Sequence, residues 1–152
     1  MALFAGTYEN RIDRKGRVSL PADFRSELPA DGNRVIYIYR SPKAQALEAC
    51  DRVFMQRLAD SLEQYDLFSD EEDDLGSTIV ADARKVSIDG EGRIVVPPEF
   101  VSFADIGERV TFVGRGSRFQ LWKPEDFEKH AAAARNSAKG RTIRLVPPES
   151  KE

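Results

Sequence analysis

Residues 12–24 read Ile-Asp-Arg-Lys-Gly-Arg-Val-Ser-Leu-Pro-Ala-Asp-Phe, and residues 88–100 read Ile-Asp-Gly-Glu-Gly-Arg-Ile-Val-Val-Pro-Pro-Glu-Phe. Six of these thirteen positions are identical at an offset of 76 residues. Residues 34–40 and 109–115 correspond in the same way at an offset of 75. Because the offset changes by single residues, as loop lengths do, we interpret the chain as two related halves joined by a linker.

Each half spans roughly 50 residues, a size at which a domain buries too little surface to be comfortably stable alone. Short repeated units usually bury their apolar faces against one another. We therefore expect the two halves to share one core. The predicted divisions are a first module at residues 6–53, a helix and acidic linker at 54–80, a second module at 81–128 and a charged C-terminal tail at 129–152, a candidate for disorder.

The two halves predict the same order of elements and an α+β fold. Pro21 and Pro97 are each expected to open a short helix, because proline is tolerated at the first helical position. Runs rich in β-branched residues, interrupted by Gly16 or Gly92, predict the strands. These strands are placed at residues 8–12, 17–20 and 34–39 in the first half, at 84–88, 93–96, 109–113 and 119–122 in the second, and more weakly at 45–47.

Each half is expected to close on a helix. In the second half, Pro124 and the acidic residues after it are typical of a helix start. In the first half the apolar residues keep helical spacing and predict a helix over 47–65; they are Leu47, Cys50, Phe54, Leu58, Leu62 and Tyr65. The linker at 66–77 contains five consecutive acids at 70–74, which indicates a solvated, mobile connector, with tuning of a partner contact as the alternative.

Composition excludes several classes of function. The 152 residues include 23 Lys+Arg against 26 Asp+Glu, a net charge of −3, so nucleic acid cannot be held by bulk positive charge and any such binding needs a local patch. Cys50 and His130 are the only residues of their kinds, which excludes an internal disulfide and a zinc site built on Cys and His. His130 lies in an alanine-rich helical context, not that of a catalytic base. We expect no enzyme activity and no cofactor.

No apolar run approaches the roughly 18 residues that a membrane helix needs. The N-terminal residues lack a basic start and a long apolar stretch, so we expect no signal peptide. A cytoplasmic protein with no membrane partner is the resulting expectation.

The repeated Asp-x-x-Gly-Arg pattern carries the predicted chemistry. It places Asp13 and Arg17, and again Asp89 and Arg93, at the tips of two-stranded turns. An Asp carboxylate can accept turn N–H groups and fix the direction of the Arg, whose planar fork suits phosphate or a guanine edge. A two-stranded ribbon fits the major groove of B-DNA, about 12 Å wide. The alternative is an ordinary hairpin with a surface ion pair of little energetic value.

The two copies differ in charge. Residues 10–17 carry a net charge of +3, whereas residues 84–93 carry +1. We therefore expect the first copy to dominate contact with a polyanion.

On these residues the chain resembles the MraZ family of bacterial transcriptional regulators, which have two AbrB-like modules in one chain. The resemblance covers roughly residues 6–130 and rests on Asp13 to Pro21, on the second copy and on the Asp-x-x-x-Arg spacing in both. It implies a swapped-hairpin, double-split β-α-β barrel with flanking helices. It also implies ring-like homo-oligomers bound to double-stranded DNA in the nucleoid, at short G-rich direct repeats before the cell-division and cell-wall gene cluster, usually as a repressor.

Transferred residue by residue, the resemblance predicts one set of DNA-binding positions: Asp13, Arg14, Lys15, Gly16, Arg17, Asp89 and Arg93. The positive charge of residues 10–17 adds Arg11 to this set. The second copy departs from the family's basic tip, because Gly90 and Glu91 replace the basic pair. Glu91 would meet phosphates with the wrong sign, so an equal role for the second copy is not expected.

The sequence also bears on two other classes of function. An assembly protein without direct DNA binding would use exposed strands and the 47–65 helix. An enzyme has little support, since no phosphate loop, metal cluster or nucleophile–base pair is present in the sequence. We interpret Trp122 as a packing anchor or subunit contact and Cys50 as a small buried apolar residue.

Overall fold

The computed structural model of the protein describes residues 2–29 and 34–148. The strands are β1 (Thr7–Arg11), β2 (Arg17–Ser19), β3 (Val35–Arg40), β4 (Leu47–Cys50), β5 (Arg84–Ser87), β6 (Arg93–Val95), β7 (Arg109–Gly114) and β8 (Arg118–Trp122). The helices are α1 (Ala22–Arg25), α2 (Arg52–Leu62), α3 (Asp70–Leu75), a π-helical segment (Gly76–Val80), α4 (Pro98–Phe103) and α5 (Pro124–Ala138). This mixture of helices with antiparallel strands confirms the α+β class.

The two halves exchange strands. β1 of the first half pairs with β7 of the second, and β5 of the second pairs with β3 of the first, both antiparallel. β4 and β8 lie side by side in the middle, which gives a six-stranded sheet of order β1-β7-β8-β4-β3-β5. β2 and β6 form a separate two-stranded ribbon. Neither half has a complete sheet of its own, so the two halves share one core.

The repeated stretch ends in the centre of that core. Phe24 in α1 and Phe100 in α4 are both buried. Phe24 meets Phe4 edge-on with 5.3 Å between ring centroids, a favoured aromatic geometry. The Arg40 guanidinium lies 5.3 Å from the centroid of the Phe100 ring. The two short helices thus close the core from equivalent positions in the two halves.

The flanking helices cover smaller apolar clusters. Met55 of α2 packs with Tyr39 and Cys50, and Phe127 of α5 packs on Trp122 with 5.7 Å between ring centroids. The interpretations of Cys50 as a buried apolar residue and of Trp122 as a packing anchor are confirmed. Burial raises the pKa of the Cys50 thiol to about 12, which keeps it protonated and unreactive at neutral pH.

The predicted helix over 47–65 is wrong at its start. Leu47–Cys50 form β4, and all four residues are buried. A strand covered on both faces reads as a continuous apolar run and can be mistaken for one face of a helix. Helix α2 begins only at Arg52, because the Asp51 side chain accepts the backbone N–H of Phe54 at 2.9 Å. This is an N-cap, which fixes the helix start.

The acidic linker, interpreted as a solvated, mobile connector, contains regular structure and no buried residue in α3. The Ser69 hydroxyl accepts the N–H of Glu72 at 3.2 Å and caps α3. Four acids in the first turn of α3 suit the positive end of the helix dipole. The π-helical segment continues α3 and contacts β3.

The predicted tail also begins as a helix, because α5 runs through Ala138 and includes His130 as expected. Residues 141–148 form neither helix nor strand, and residues 149–152 lie outside the described part of the chain. Within residues 2–29 and 34–148, no helix has the length and apolar character that crossing a membrane requires.

Replacement of Phe24 by alanine is expected to lower the free energy of unfolding by about 3–5 kcal/mol, because it empties the shared core. The matched control is Val53→Ala at an exposed position of α2, for which we expect a change within about 0.5 kcal/mol. Denaturant titration of both variants tests this. A loss below about 1 kcal/mol for Phe24→Ala would contradict the central place given to this ring.

Candidate nucleic-acid interface

Residues 13–17, which we call the first tip, form a turn held by one carboxylate. Asp13 accepts the backbone N–H groups of Lys15 and Arg17, both at 2.9 Å, and the Arg17 side-chain Nε–H at 2.7 Å. The N–H of Gly16 donates to the carbonyl of Asp13 at 3.0 Å, with the Gly16 φ at +83°. The carboxylate therefore closes the turn and sets the direction of the Arg17 guanidinium.

Residues 89–93, the second tip, repeat this geometry. Asp89 accepts the N–H groups of Glu91 and Arg93 at 2.9 Å and the Arg93 Nε–H at 3.0 Å. The Gly92 φ is +80°, and its N–H donates to the Asp89 carbonyl at 3.0 Å. The same five-residue pattern therefore builds the same arginine support twice.

The hydrogen bonds shift the pKa of both carboxyls. The backbone N–H of Arg17, followed by its side chain, holds the pKa of Asp13 below its ordinary value. The backbone N–H of Arg93 does the same for Asp89. Both carboxylates are therefore charged at neutral pH and keep their arginines paired.

The two arginines lie on one exposed face of the ribbon formed by β2 and β6. Arg17 is opposite Val95, and Arg93 is opposite Ser19. The intervening residue of each strand is buried, so these four side chains point outward together. Diagonal neighbours in such a pair are about 7–8 Å apart. The side chains of Arg17 and Arg93 are 45% and 38% exposed, so both guanidinium groups are accessible.

Backbone contacts between the halves fix the tips to each other. The N–H of Val96 donates to the carbonyl of Gly16 at 2.8 Å, and the N–H of Leu20 donates to the carbonyl of Gly92 at 3.0 Å. Each tip is thus anchored by the strand end of the other half. The ribbon presents both tips as one unit.

The tips differ electrostatically. Arg14 and Lys15 are exposed in the first tip, whereas Glu91 in the second lies 3.5 Å from the Arg93 guanidinium. A hydrogen bond to Asp89, then the charges of Asp89 and Glu91, raise the pKa of Arg93. Two carboxylates thus share Arg93, which leaves the second tip the less positive of the two.

The structure brings seven of the eight predicted site residues into the two tips: Asp13, Arg14, Lys15, Gly16, Arg17, Asp89 and Arg93. Arg11 is the last residue of β1, opposite Arg109 of β7, and belongs to the six-stranded sheet instead of the ribbon. It is exposed two residues before the first tip.

Sequence reasoning missed three residues of this surface. Ser19 and Val95 share the outer face with the arginines, and Arg25 of α1 lies against Gly92 of the second tip. The Arg25 Nη1–H also donates to the Leu20 carbonyl at 2.8 Å. The strand alternation of 17–19 and 93–95 could have indicated the first two. Nothing local to Arg25 indicates its position, because the contact joins the two halves.

The fold and the site define a duplicated β-α-β protein with two carboxylate-held arginines on one ribbon. A family model described as "MraZ protein, putative antitoxin-like" matches residues 3–42 and 79–146. The chain belongs to the MraZ family, whose tandem AbrB-like modules agree with the duplicated halves.

Relatives named "Transcriptional regulator MraZ" match over most of their length. That of Gluconacetobacter diazotrophicus is 38% identical over 91% of this chain and 90% of its own. That of Pelagibacter ubique is 38% identical over 90% and 88%. That of Rickettsia typhi is 34% identical over 95% and 97%. The expectation that the chain is not an enzyme agrees with this membership, since the relatives are named as regulators and not by a reaction.

The two tip glycines are expected to differ in their tolerance of alanine. A Cβ at Gly16 would lie 2.5 Å from the backbone oxygen of Val96, whereas a Cβ at Gly92 would meet the flexible Arg25 side chain. Gly92→Ala should therefore cost about 1–2 kcal/mol for its positive φ, and Gly16→Ala about 1–3 kcal/mol more for the displaced backbone. Denaturant titration compares them. Equal losses would show that the ribbon accommodates both equally.

The tip carboxyls are expected to titrate at unusually low pH. Because the folded pKa of Asp13 and Asp89 is depressed, their contribution to stability is present above the unfolded pKa and is lost as pH falls through the folded pKa. NMR titration of the carboxyl carbons in the folded protein, against unstructured peptides of residues 12–18 and 88–94, measures this. Equal midpoints in protein and peptide would contradict the hydrogen-bonded turn.

Proposed function

We propose that the protein regulates transcription by binding double-stranded DNA through the outer face of the ribbon. The observation that carries the proposal is the placing of Arg17 and Arg93 at diagonal positions on one exposed face of the ribbon, each directed by a carboxylate and each accessible to solvent. The name carried by the relatives supports the regulatory role.

The ribbon enters the major groove, which has room for two antiparallel strands. Arg17 offers its fork to the O6 and N7 acceptors of guanine, the commonest specific contact of this side chain. Arg14 and Lys15 contact phosphates beside it, and Arg11 adds charge from the end of β1. Asp13 and Gly16 act on the DNA indirectly by holding the turn that presents Arg17.

The second tip contributes less. Arg93 shares its charge with Asp89 and Glu91, and Glu91 faces the phosphate backbone with a negative charge. Arg93 therefore supports the position of the ribbon more than it adds affinity.

We interpret the exchanged strands as the swapped-hairpin, double-split β-α-β barrel that the family implies. Several copies act together in a ring-like homo-oligomer on short G-rich direct repeats in the nucleoid of the cytoplasm. The regulated genes are the cell-division and cell-wall cluster, and the effect is repression. Tethering several weak ribbons raises the affinity for repeated sites without any new contact.

Arg17→Ala is expected to abolish specific binding of duplex DNA taken from the region upstream of the protein's own gene, while fold and assembly are kept. The affinity for this duplex should fall by at least about tenfold. Arg93→Ala should weaken binding by a smaller factor. The parent's affinity should fall steeply between about 50 mM and 200 mM salt as counterions are released. Fluorescence anisotropy with a labelled duplex at both salt concentrations measures all three.

The matched control is Arg135→Ala, an exposed arginine on α5 away from the ribbon, which should bind as the parent does. Unchanged binding by Arg17→Ala would show that the ribbon does not read DNA. A parent with no measurable affinity for any duplex would favour the alternative of an assembly protein without direct DNA binding.

A further inference from the structure

Two parts of the surface carry most of the exposed large apolar side chains. Seven of the ten such residues in the described ranges belong to them, namely Tyr65, Leu67, Phe68, Val80, Ile143, Leu145 and Val146. Single exposed apolar residues are ordinary, but clustered ones mark interaction sites. The DNA-binding ribbon uses neither cluster.

The first cluster surrounds a groove between the end of α2, α3 and the π-helical segment. The groove has a volume of about 520 Å³, and its apolar lining is Ala59, Leu62, Tyr65, Leu67, Val80 and Ala81. Phe68 is 88% exposed next to Leu67 in the same loop. The family model does not match residues 43–78, so most of this groove is built by a part of the chain outside the matched ranges.

The second cluster is the C-terminal segment, residues 139–148, which follows α5. Ile143 is 87% exposed, and Leu145 and Val146 are exposed to a similar degree. The segment forms no helix or strand from residue 141 to 148. It therefore carries three large apolar side chains that contact little of its own chain.

The two clusters have opposite charge. Residues 59–81 contain eight Asp and Glu and no Lys or Arg. Residues 139–148 contain Lys139, Arg141 and Arg144 and no Asp or Glu. Acids Glu63, Glu72 and Asp73 line the groove itself. An apolar segment with basic residues thus matches an apolar groove with acidic residues.

We propose that the groove binds the C-terminal segment of a second copy of this chain. In this structure the C-terminal segment does not occupy the groove of its own chain, since the apolar side chains of the segment are almost fully exposed. Helix α5, which leads into the segment, packs on β7, whereas the groove-forming π-helical segment packs on β3, and β8 and β4 lie between these two strands in the sheet. The segment and the groove of one copy therefore lie over different strands of the sheet.

A contact of this kind joins different surfaces of the two partners and repeats from copy to copy. Such head-to-tail interfaces generate closed rings or open filaments. The inference gives the proposed assembly of several copies a specific interface, and to that extent it rests on the proposed function. It does not depend on DNA binding.

The test uses two double variants of the full chain. The groove variant is Leu67→Ser with Phe68→Ser, and the segment variant is Ile143→Ser with Leu145→Ser. All four positions are exposed, so the fold should survive. In light scattering after size exclusion, the parent should be an oligomer and each variant alone a monomer. An equimolar mixture of the two should form dimers, because it retains one intact groove and one intact segment per pair.

Charge reversal provides an independent arm with a matched control. Arg141→Glu with Arg144→Glu should dissociate the oligomer, whereas Lys129→Glu with Arg135→Glu, the same change of charge on the exposed face of α5, should leave it assembled.

Three results would overturn the inference. They are a parent that is monomeric, double variants that assemble as the parent does, and a mixture that stays monomeric, which would place the contact within one chain or with another partner. DNA binding measured on the same samples separates the two proposals. If the double variants stay oligomeric and the parent binds the duplex, the proposed interface is wrong and the proposed DNA-binding role is retained.

Discussion

The pairing of β2 with β6 is the constraint on which the rest of the molecule depends. Each strand has only three residues, and its inner side chain, Val18 or Ile94, fills the shared core. A strand this short is not stable as an isolated ribbon. It is held because the strand ends of each half donate to the glycine carbonyl of the other half's tip. The pairing of β2 with β6 therefore fixes the positions of the exposed Arg17 and Arg93.

The same arrangement explains how a chain with net negative charge can present directed cations on its surface. Asp13 and Asp89 do not only offset positive charge. They accept two backbone N–H groups each and so hold the turn in one conformation. Less side-chain freedom remains to be lost when the guanidinium meets a fixed partner, which is the general benefit of preorganisation. Local geometry thus fixes the direction of the guanidinium groups in a chain whose net charge is negative.

Much of this could be predicted from the sequence, because the repeat is a local signal. The turns at Gly16 and Gly92 and the strands that flank them follow from residue type and alternation. The partner of each strand could not be predicted, since β1 and β7 are about a hundred residues apart and nothing in either sequence selects the other half. That is also why the position of Arg25 against the second tip was missed.

The predicted helix over 47–65 began too early because the hydrophobic periods of a strand and of a helix could not be distinguished there. β4 is buried on both faces, so its apolar residues gave no alternation to oppose the helical reading of α2. The acidic run was interpreted from its charge alone. Its cap at Ser69 and the dipole of α3 favour helix there despite the repulsion between neighbouring acids.

Because the two halves are joined in one chain, a mutation can change one tip and leave the other unchanged. In a symmetric dimer of identical halves, one codon change would alter both tips at once. Here Lys15 and Glu91 occupy equivalent turns with opposite charge, and Ser19 and Val95 occupy equivalent outer positions. The two ends of the ribbon are consequently different from each other. Because both halves belong to one chain, the two ends of the ribbon can carry different side chains, which exact two-fold symmetry between identical halves would not allow.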